Sequence, residues 1–78
     1  MTLKEFNKLD YDAQLLKVVD DGVFLDNYIS TDVRINLYAL AKFYVELVYD
    51  PAANRINEIR SFIGGPNLDK YTKSIYKQ

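Results

Sequence analysis

The side chains that could carry out chemistry in this sequence are carboxylates, arginines, lysines and tyrosines, because its 78 residues include no histidine and no cysteine. Ser-His-Asp and Cys-His catalytic arrangements therefore cannot be built. Zinc sites of the usual types are excluded as well, because they draw on cysteine and histidine ligands. We therefore expect a protein that is not an enzyme and that acts by binding.

Carboxylates are the remaining candidates for acid–base or metal chemistry. Glu46 and Glu58 fall within predicted strands, and we expect both to be solvated or paired with arginine. The segment Asp20-Asp21-Gly22 lacks the ligand spacing of a calcium loop and is typical of a helix end. The segment Gly64-Gly65-Pro66 lacks the Lys-Ser/Thr of a phosphate-binding loop and indicates a chain reversal. The sequence thus predicts no metal site and no cofactor.

Basic residues beside tyrosines could bind single-stranded nucleic acid, whose bases stack on the aromatic rings of a sheet. Asp26 and Glu46 are interleaved with them, however, and would repel phosphates. The net charge of −1 also gives the chain no general attraction for nucleic acid. Single-stranded nucleic-acid binding is therefore the alternative function and not the favoured one. The residues concerned are Arg34, Lys42, Arg60, Tyr28, Tyr38 and Tyr44.

Length and composition predict one packed domain over residues 1–78. Apolar residues make up 49% of the sequence, which is too many for a disordered chain. Residues 1–5 carry charges where a secretion signal needs an apolar run. No apolar stretch approaches the ~18 residues of a membrane span, and a cysteine-free chain fits a reducing compartment. The sequence therefore predicts a soluble, cytoplasmic protein.

Two hydrophobic periods divide the chain into helices and strands. Thr2 and Glu5 match a capping box, which predicts a helix over 3–20, with a break near Asp10 and a left-handed end at Gly22. Alternation with a period of two then predicts strands joined by short connections, and hence an antiparallel meander. The predicted fold class is α+β: an N-terminal helix packed on a four-stranded antiparallel β-meander, with a short C-terminal helix. The strands are predicted over about 23–30, 33–40, 43–50 and 55–63 and the last helix over about 67–76, with a helix as the alternative for 55–63.

Four segments carry a family resemblance: Gly22-Val23-Phe24-Leu25, Leu37-Tyr38, Phe43-Tyr44-Val45-Glu46 and Ile59-Arg60-Ser61-Phe62. Through them the chain resembles a family of small uncharacterised bacterial proteins, a domain of unknown function. The resemblance covers residues 3–63 and consists mostly of core positions. It implies the helix-and-meander fold and implies no biochemical activity.

The lengths of the loops decide which face of the sheet each residue occupies, because directly opposed residues share a face. Loops at 30–32, 40–42 and 51–55 keep apolar residues together. The opposed pairs that they predict include Phe24–Tyr38, Leu25–Leu37, Tyr28–Arg34, Tyr44–Phe62 and Glu46–Arg60. A two-residue loop at 41–42 would mix apolar and charged residues on each face, so the three-residue loop is preferred. The predicted inner face, covered by the N-terminal helix, is Val23, Leu25, Ile29, Val33, Ile35, Leu37, Phe43, Val45, Leu47 and Ile59.

The same loops place a row of four aromatic residues on the outer face, with arginines beside it: Phe24, Tyr38, Tyr44 and Phe62. Aromatic residues and arginine are enriched in the energetically important parts of protein interfaces. The C-terminal helix could cover this row, or the row could meet a protein partner or a second copy. We favour the second interpretation, which predicts a non-catalytic protein–protein interaction or assembly domain that can be a homodimer. The predicted interaction surface is Phe24, Tyr28, Arg34, Tyr38, Tyr44, Arg60 and Phe62.

Overall fold

A computed structural model describes residues 1–64, which form two helices followed by four strands. The predicted C-terminal helix over 67–76 lies outside the described residues. The elements are α1 (Leu3–Asn7), α2 (Tyr11–Asp21), β1 (Val23–Ile29), β2 (Arg34–Leu40), β3 (Phe43–Asp50) and β4 (Arg55–Phe62).

Each helix begins at a side chain that accepts a backbone N–H. The Thr2 hydroxyl accepts from the Glu5 N–H at 3.1 Å, and the Glu5 carboxylate accepts from the Thr2 N–H at 2.8 Å. This is the capping box that the sequence predicted. The Asp10 carboxylate accepts from the Ala13 N–H at 2.9 Å, so α2 starts anew after a break. The predicted helix over 3–20 is therefore two helices.

The end of α2 corrects the prediction for Gly22. This residue is extended, with φ −73° and ψ 147°, and is not left-handed. Glycine is required there for a different reason, since a Cβ atom would lie 2.5 Å from the backbone oxygen of Val18. The Gly22 N–H donates to that same oxygen at 2.8 Å, which holds the chain against the helix as it turns into β1.

The four strands form one antiparallel sheet in the order β1-β2-β3-β4. The predicted meander and its α+β class are thereby confirmed. The segment for which a helix was the alternative is strand β4. Alternating β-branched and aromatic residues favour these strands, and each connection is short enough to join antiparallel neighbours.

The turn between β2 and β3 has two residues, so the predicted three-residue loop at 40–42 is wrong. Leu40 lies directly opposite Phe43, and only Ala41 and Lys42 connect them. Ala41 has a φ of 55°, in the left-handed region that non-glycine residues rarely adopt. The two-residue turn sets Leu37 opposite Glu46, the mixed pairing for which the sequence argument rejected it, and Glu46 is fully buried there.

This one-residue difference exchanges the faces of β2 relative to β3. Helices α1 and α2 cover one face, here called the helix face, and its core is built from both helices and the middle strands. Ile35 and Leu37, predicted on the inner face, lie instead on the opposite face, here called the far face. The buried core of the helix face is Phe6, Val18, Leu40, Phe43, Val45 and Leu47.

The outer hairpins agree with the predicted register in part. Phe24 lies opposite Tyr38 as predicted, but a bulge at Leu25 then shifts β1 by one residue. The predicted pairs Leu25–Leu37 and Tyr28–Arg34 are therefore wrong, and the loop spans 30–33. In the last hairpin the predicted opposition of Tyr44 to Phe62 and of Glu46 to Arg60 is confirmed.

Candidate interaction surface

The structure does not bring the seven predicted interaction residues to one face of the sheet. Directly opposed residues share a face, so the observed register fixes the side of each one. Phe24, Arg34 and Tyr38 lie on the helix face. Tyr28, Tyr44, Arg60 and Phe62 lie on the far face. The predicted continuous aromatic row is therefore two separate pairs of rings.

The far-face aromatic residues are part of a second hydrophobic cluster. The rings of Tyr44 and Phe62 stack with centroids 5.8 Å apart and planes 28° apart. Leu37 is fully buried beside them, Phe62 is 8% exposed, and Tyr28 packs against the same cluster. These rings contribute to packing within the domain, which removes Phe62 from the candidate contact surface.

The far-face charges form a local ion-pair network. The Arg60 guanidinium lies 3.2 Å from each carboxylate oxygen of Glu58, through Nε to Oε2 and through Nη2 to Oε1. Its Nη1 atom lies 3.9 Å from Oε1 of Glu46, which is fully buried. Of the two alternatives expected for Glu46 and Glu58, solvation or pairing with arginine, the structure shows the pairing. Because both carboxylates face the same guanidinium, their arrangement is that of a structural ion pair.

The helix-face pair is more accessible. Phe24 meets Tyr38 edge to face, with centroids 5.7 Å apart and planes 75° apart. Burial raises the pKa of Tyr38, the negative charge of ionised Tyr49 raises it further, and a hydrogen bond with Asn36 acts in the opposite direction. Tyr38 is thus partly enclosed, whereas Phe24 remains exposed on β1.

Strand β1 carries an exposed apolar surface that sequence reasoning placed mainly in the core. It is an outer strand of the described sheet, and its only charged residue is Asp26. Four of its side chains are between 41% and 62% exposed. Leu16 and Val19 on α2 are exposed too. The four exposed side chains of β1 are Val23, Phe24, Leu25 and Ile29.

The other outer strand, β4, is different in character. Its exposed residues are polar or charged, and they include Arg55, Glu58 and Arg60. Natural proteins protect edge strands with such charges, because an unpaired apolar edge pairs readily with another chain. The two edges of the described sheet are therefore unequal, and β1 is the unprotected one. Its position as the first strand of the meander was the sequence signal that could have identified it.

Residues 1–64 contain no group of three or more acidic, histidine or cysteine residues that could hold a metal ion. Among the same residues no helix is long and apolar enough to cross a membrane. The acidic segment at the end of α2 contributes an ion pair, with Lys17 Nζ 2.7 Å from Asp21 Oδ2.

Comparison of the chain with protein-family models, with curated proteins and with solved structures finds no match. The resemblance to small uncharacterised bacterial proteins therefore stays an expectation from the sequence. Any function must therefore be inferred from the geometry of the chain itself.

Proposed function

We propose that this chain is a non-catalytic protein–protein interaction domain that forms a homodimer through strand β1. The observation that carries the proposal is the exposed apolar edge formed by Val23, Phe24, Leu25 and Ile29. The proposed contact surface is therefore the edge of the sheet, whereas the sequence predicted a face of the sheet.

Two physical terms support pairing at this edge. An outer strand has backbone N–H and C=O groups directed away from its neighbour, and an added antiparallel strand can bond to them. Burying a Val, Leu, Ile or Phe side chain contributes about 1.5–3 kcal/mol when it goes from exposed to fully buried. Each copy has four such side chains that are only about half exposed, so burying them in a dimer would contribute part of that energy for each one.

A second copy is the partner that fits this edge most directly. Antiparallel pairing of β1 with its own copy places the same surface on both sides of a two-fold axis, as in most soluble oligomers. The bulge at Leu25 bends the strand, so regular backbone pairing is confined to the segment 26–29. The remaining contact then comes from the side chains of Val23, Phe24 and Leu25.

The test is the molecular mass in solution as a function of concentration, by sedimentation equilibrium. We expect the wild-type chain to be a dimer at micromolar concentrations and Val23→Lys to be a monomer with an unchanged circular dichroism spectrum. Ile63→Lys is the matched control, because Ile63 is 68% exposed and follows β4, at the other edge of the sheet. It should leave the dimer intact. A wild-type chain that stays monomeric at several hundred micromolar would overturn the proposal, and so would equal effects of the two variants.

The alternative, single-stranded nucleic-acid binding, needs aromatic rings and arginines together on one face. The register separates Tyr38 and Arg34 from Tyr44 and Arg60, so no observation favours this function. A cytoplasmic location remains part of the proposal, because a cysteine-free sequence fits a reducing compartment.

A further inference from the structure

A small polar cavity lies at the end of the helix face, beside the turn between β3 and β4. Its volume is about 270 Å³, which is slightly below the range of about 300–1,000 Å³ that holds drug-sized ligands. A ligand for this cavity must therefore be small. The lining residues are Arg34, Asn36, Tyr49, Asp50, Pro51 and Asn54.

The sheet and the turn hold the walls of the cavity in place. Arg34 and Tyr49 are directly opposed on β2 and β3, and Asn36 follows on the same face. In the turn, Oδ1 of Asp50 accepts the backbone N–H groups of Ala52 at 2.9 Å and Ala53 at 3.3 Å. The Asn54 N–H donates to the Asp50 carbonyl at 2.7 Å, and its φ of 54° suits asparagine. The site is therefore formed before any ligand arrives.

Two residues of opposite charge, Arg34 and Asp50, line this cavity. Within residues 1–64 the Arg34 guanidinium and the Asp50 carboxylate form no ion pair, either with each other or with another residue. In the same part of the chain Arg34 donates no side-chain hydrogen bond, and Oδ2 of Asp50 accepts none. One strong donor group and one carboxylate oxygen are thus available to a ligand.

We propose that this cavity binds a small zwitterion of the α-amino acid class. The ligand carboxylate binds the Arg34 guanidinium, which matches it with two parallel donors. The ligand ammonium binds the Asp50 carboxylate. A simple anion would meet the repulsion of Asp50 and a simple cation that of Arg34, so the pair selects a molecule that carries both charges. This site is separate from the β1 contact and goes beyond the proposed function.

The first test is a nuclear magnetic resonance titration of the full chain, labelled with ¹⁵N, with three probes. L-alanine carries both charges, whereas acetate and methylammonium each carry one. We expect saturable shifts of the Tyr49 and Asn54 amides with L-alanine, with a dissociation constant of about 1 mM, and roughly tenfold weaker binding of each half-probe. Absence of saturable shifts up to roughly 50 mM L-alanine, or acetate binding as tightly as L-alanine, would overturn the proposal.

The second test separates the two charges by mutation. Arg34→Gln and Asp50→Asn should each weaken L-alanine binding at least about tenfold. Asp50→Asn keeps an oxygen for the Ala52 and Ala53 N–H groups, so the turn is retained. Lys42→Gln is the matched control, since it removes a charge from the other tight turn and should leave the affinity unchanged. If the two site variants bind L-alanine like the wild type, the assignment is wrong.

Discussion

Tyr38 lies directly opposite Val45, and this pairing decides which side chains share a face of the sheet. Val45 is fully buried beneath the helices, so Tyr38 is on the helix face with it. Tyr44, one residue earlier on β3, consequently points to the far face and pairs with Phe62. The aromatic residues are shared between two surfaces because the β2–β3 turn contains two residues instead of three.

That turn holds an alanine in a left-handed conformation, so Ala41→Gly should stabilise the protein. An L-residue with a Cβ loses roughly 1–2 kcal/mol in this region, and glycine avoids that loss at an entropic cost of about 0.5–1 kcal/mol. We expect the free energy of unfolding to rise by about 0.5–1 kcal/mol, as measured by urea denaturation. Ala53→Gly, in the other turn at a residue without a positive φ, should give no such gain. A decrease on Ala41→Gly would contradict the observed turn.

The two faces can be compared by the same chemical change at two phenylalanines. Phe62 is buried in the far-face cluster, so Phe62→Ala should lower the free energy of unfolding by about 3–4 kcal/mol. Phe24 is exposed and contacts Tyr38 at its edge, so Phe24→Ala should cost about 1 kcal/mol. Denaturation at concentrations where the chain is monomeric measures both. Equal costs would mean that the aromatic residues share one environment.

Gly22 is predicted to resist replacement by alanine. The new Cβ atom would lie 2.5 Å from the Val18 carbonyl oxygen, so the chain must shift next to a fully buried valine. We expect Gly22→Ala to lower the free energy of unfolding by about 1–3 kcal/mol, the usual range for overpacking. Gly64→Ala is the control, because a Cβ atom there meets nothing within 4 Å. A thermal melt in which both variants behave alike would argue against the close approach.

Tyr38 should make stability depend on pH in the alkaline range. Its pKa in the folded protein lies above the ordinary value of 10.0, mainly because burial disfavours the phenolate. The folded state therefore holds this proton more tightly than the unfolded state. The resulting stability is complete below pH 10 and is lost as the pH rises through the raised pKa. Between about pH 10 and 12 the free energy of unfolding of Tyr38→Phe should fall less than that of the wild type, as measured by urea denaturation. A Tyr38→Phe variant that loses as much stability as the wild type over this range would contradict the prediction.

The sequence predicted the elements of this fold better than their faces. Thr2 and Asp10 cap their helices through contacts within three residues, and strand alternation is equally local, so both can be read from the chain. The faces depend on the conformation of Ala41 and on the bulge at Leu25, which are single backbone events without a strong residue signal. Each shifts the pairing by one residue, and such a shift moves every following side chain to the other face. The exposure of β1 could not be predicted either, because its hydrophobic alternation is the same as that of a core strand.

The unequal edges of the sheet have a consequence for stoichiometry. The proposed pairing of β1 with β1 would bury the apolar margin of both copies and leave the charged strand β4, with Arg55 and Glu58, at each outer boundary. Such an assembly has two-fold point symmetry and is closed at two subunits. A contact between β1 of one copy and β4 of the next would instead repeat without limit and build a filament. The charges along β4 oppose that open growth, so the same asymmetry that supports the proposed dimer would also limit it to two copies.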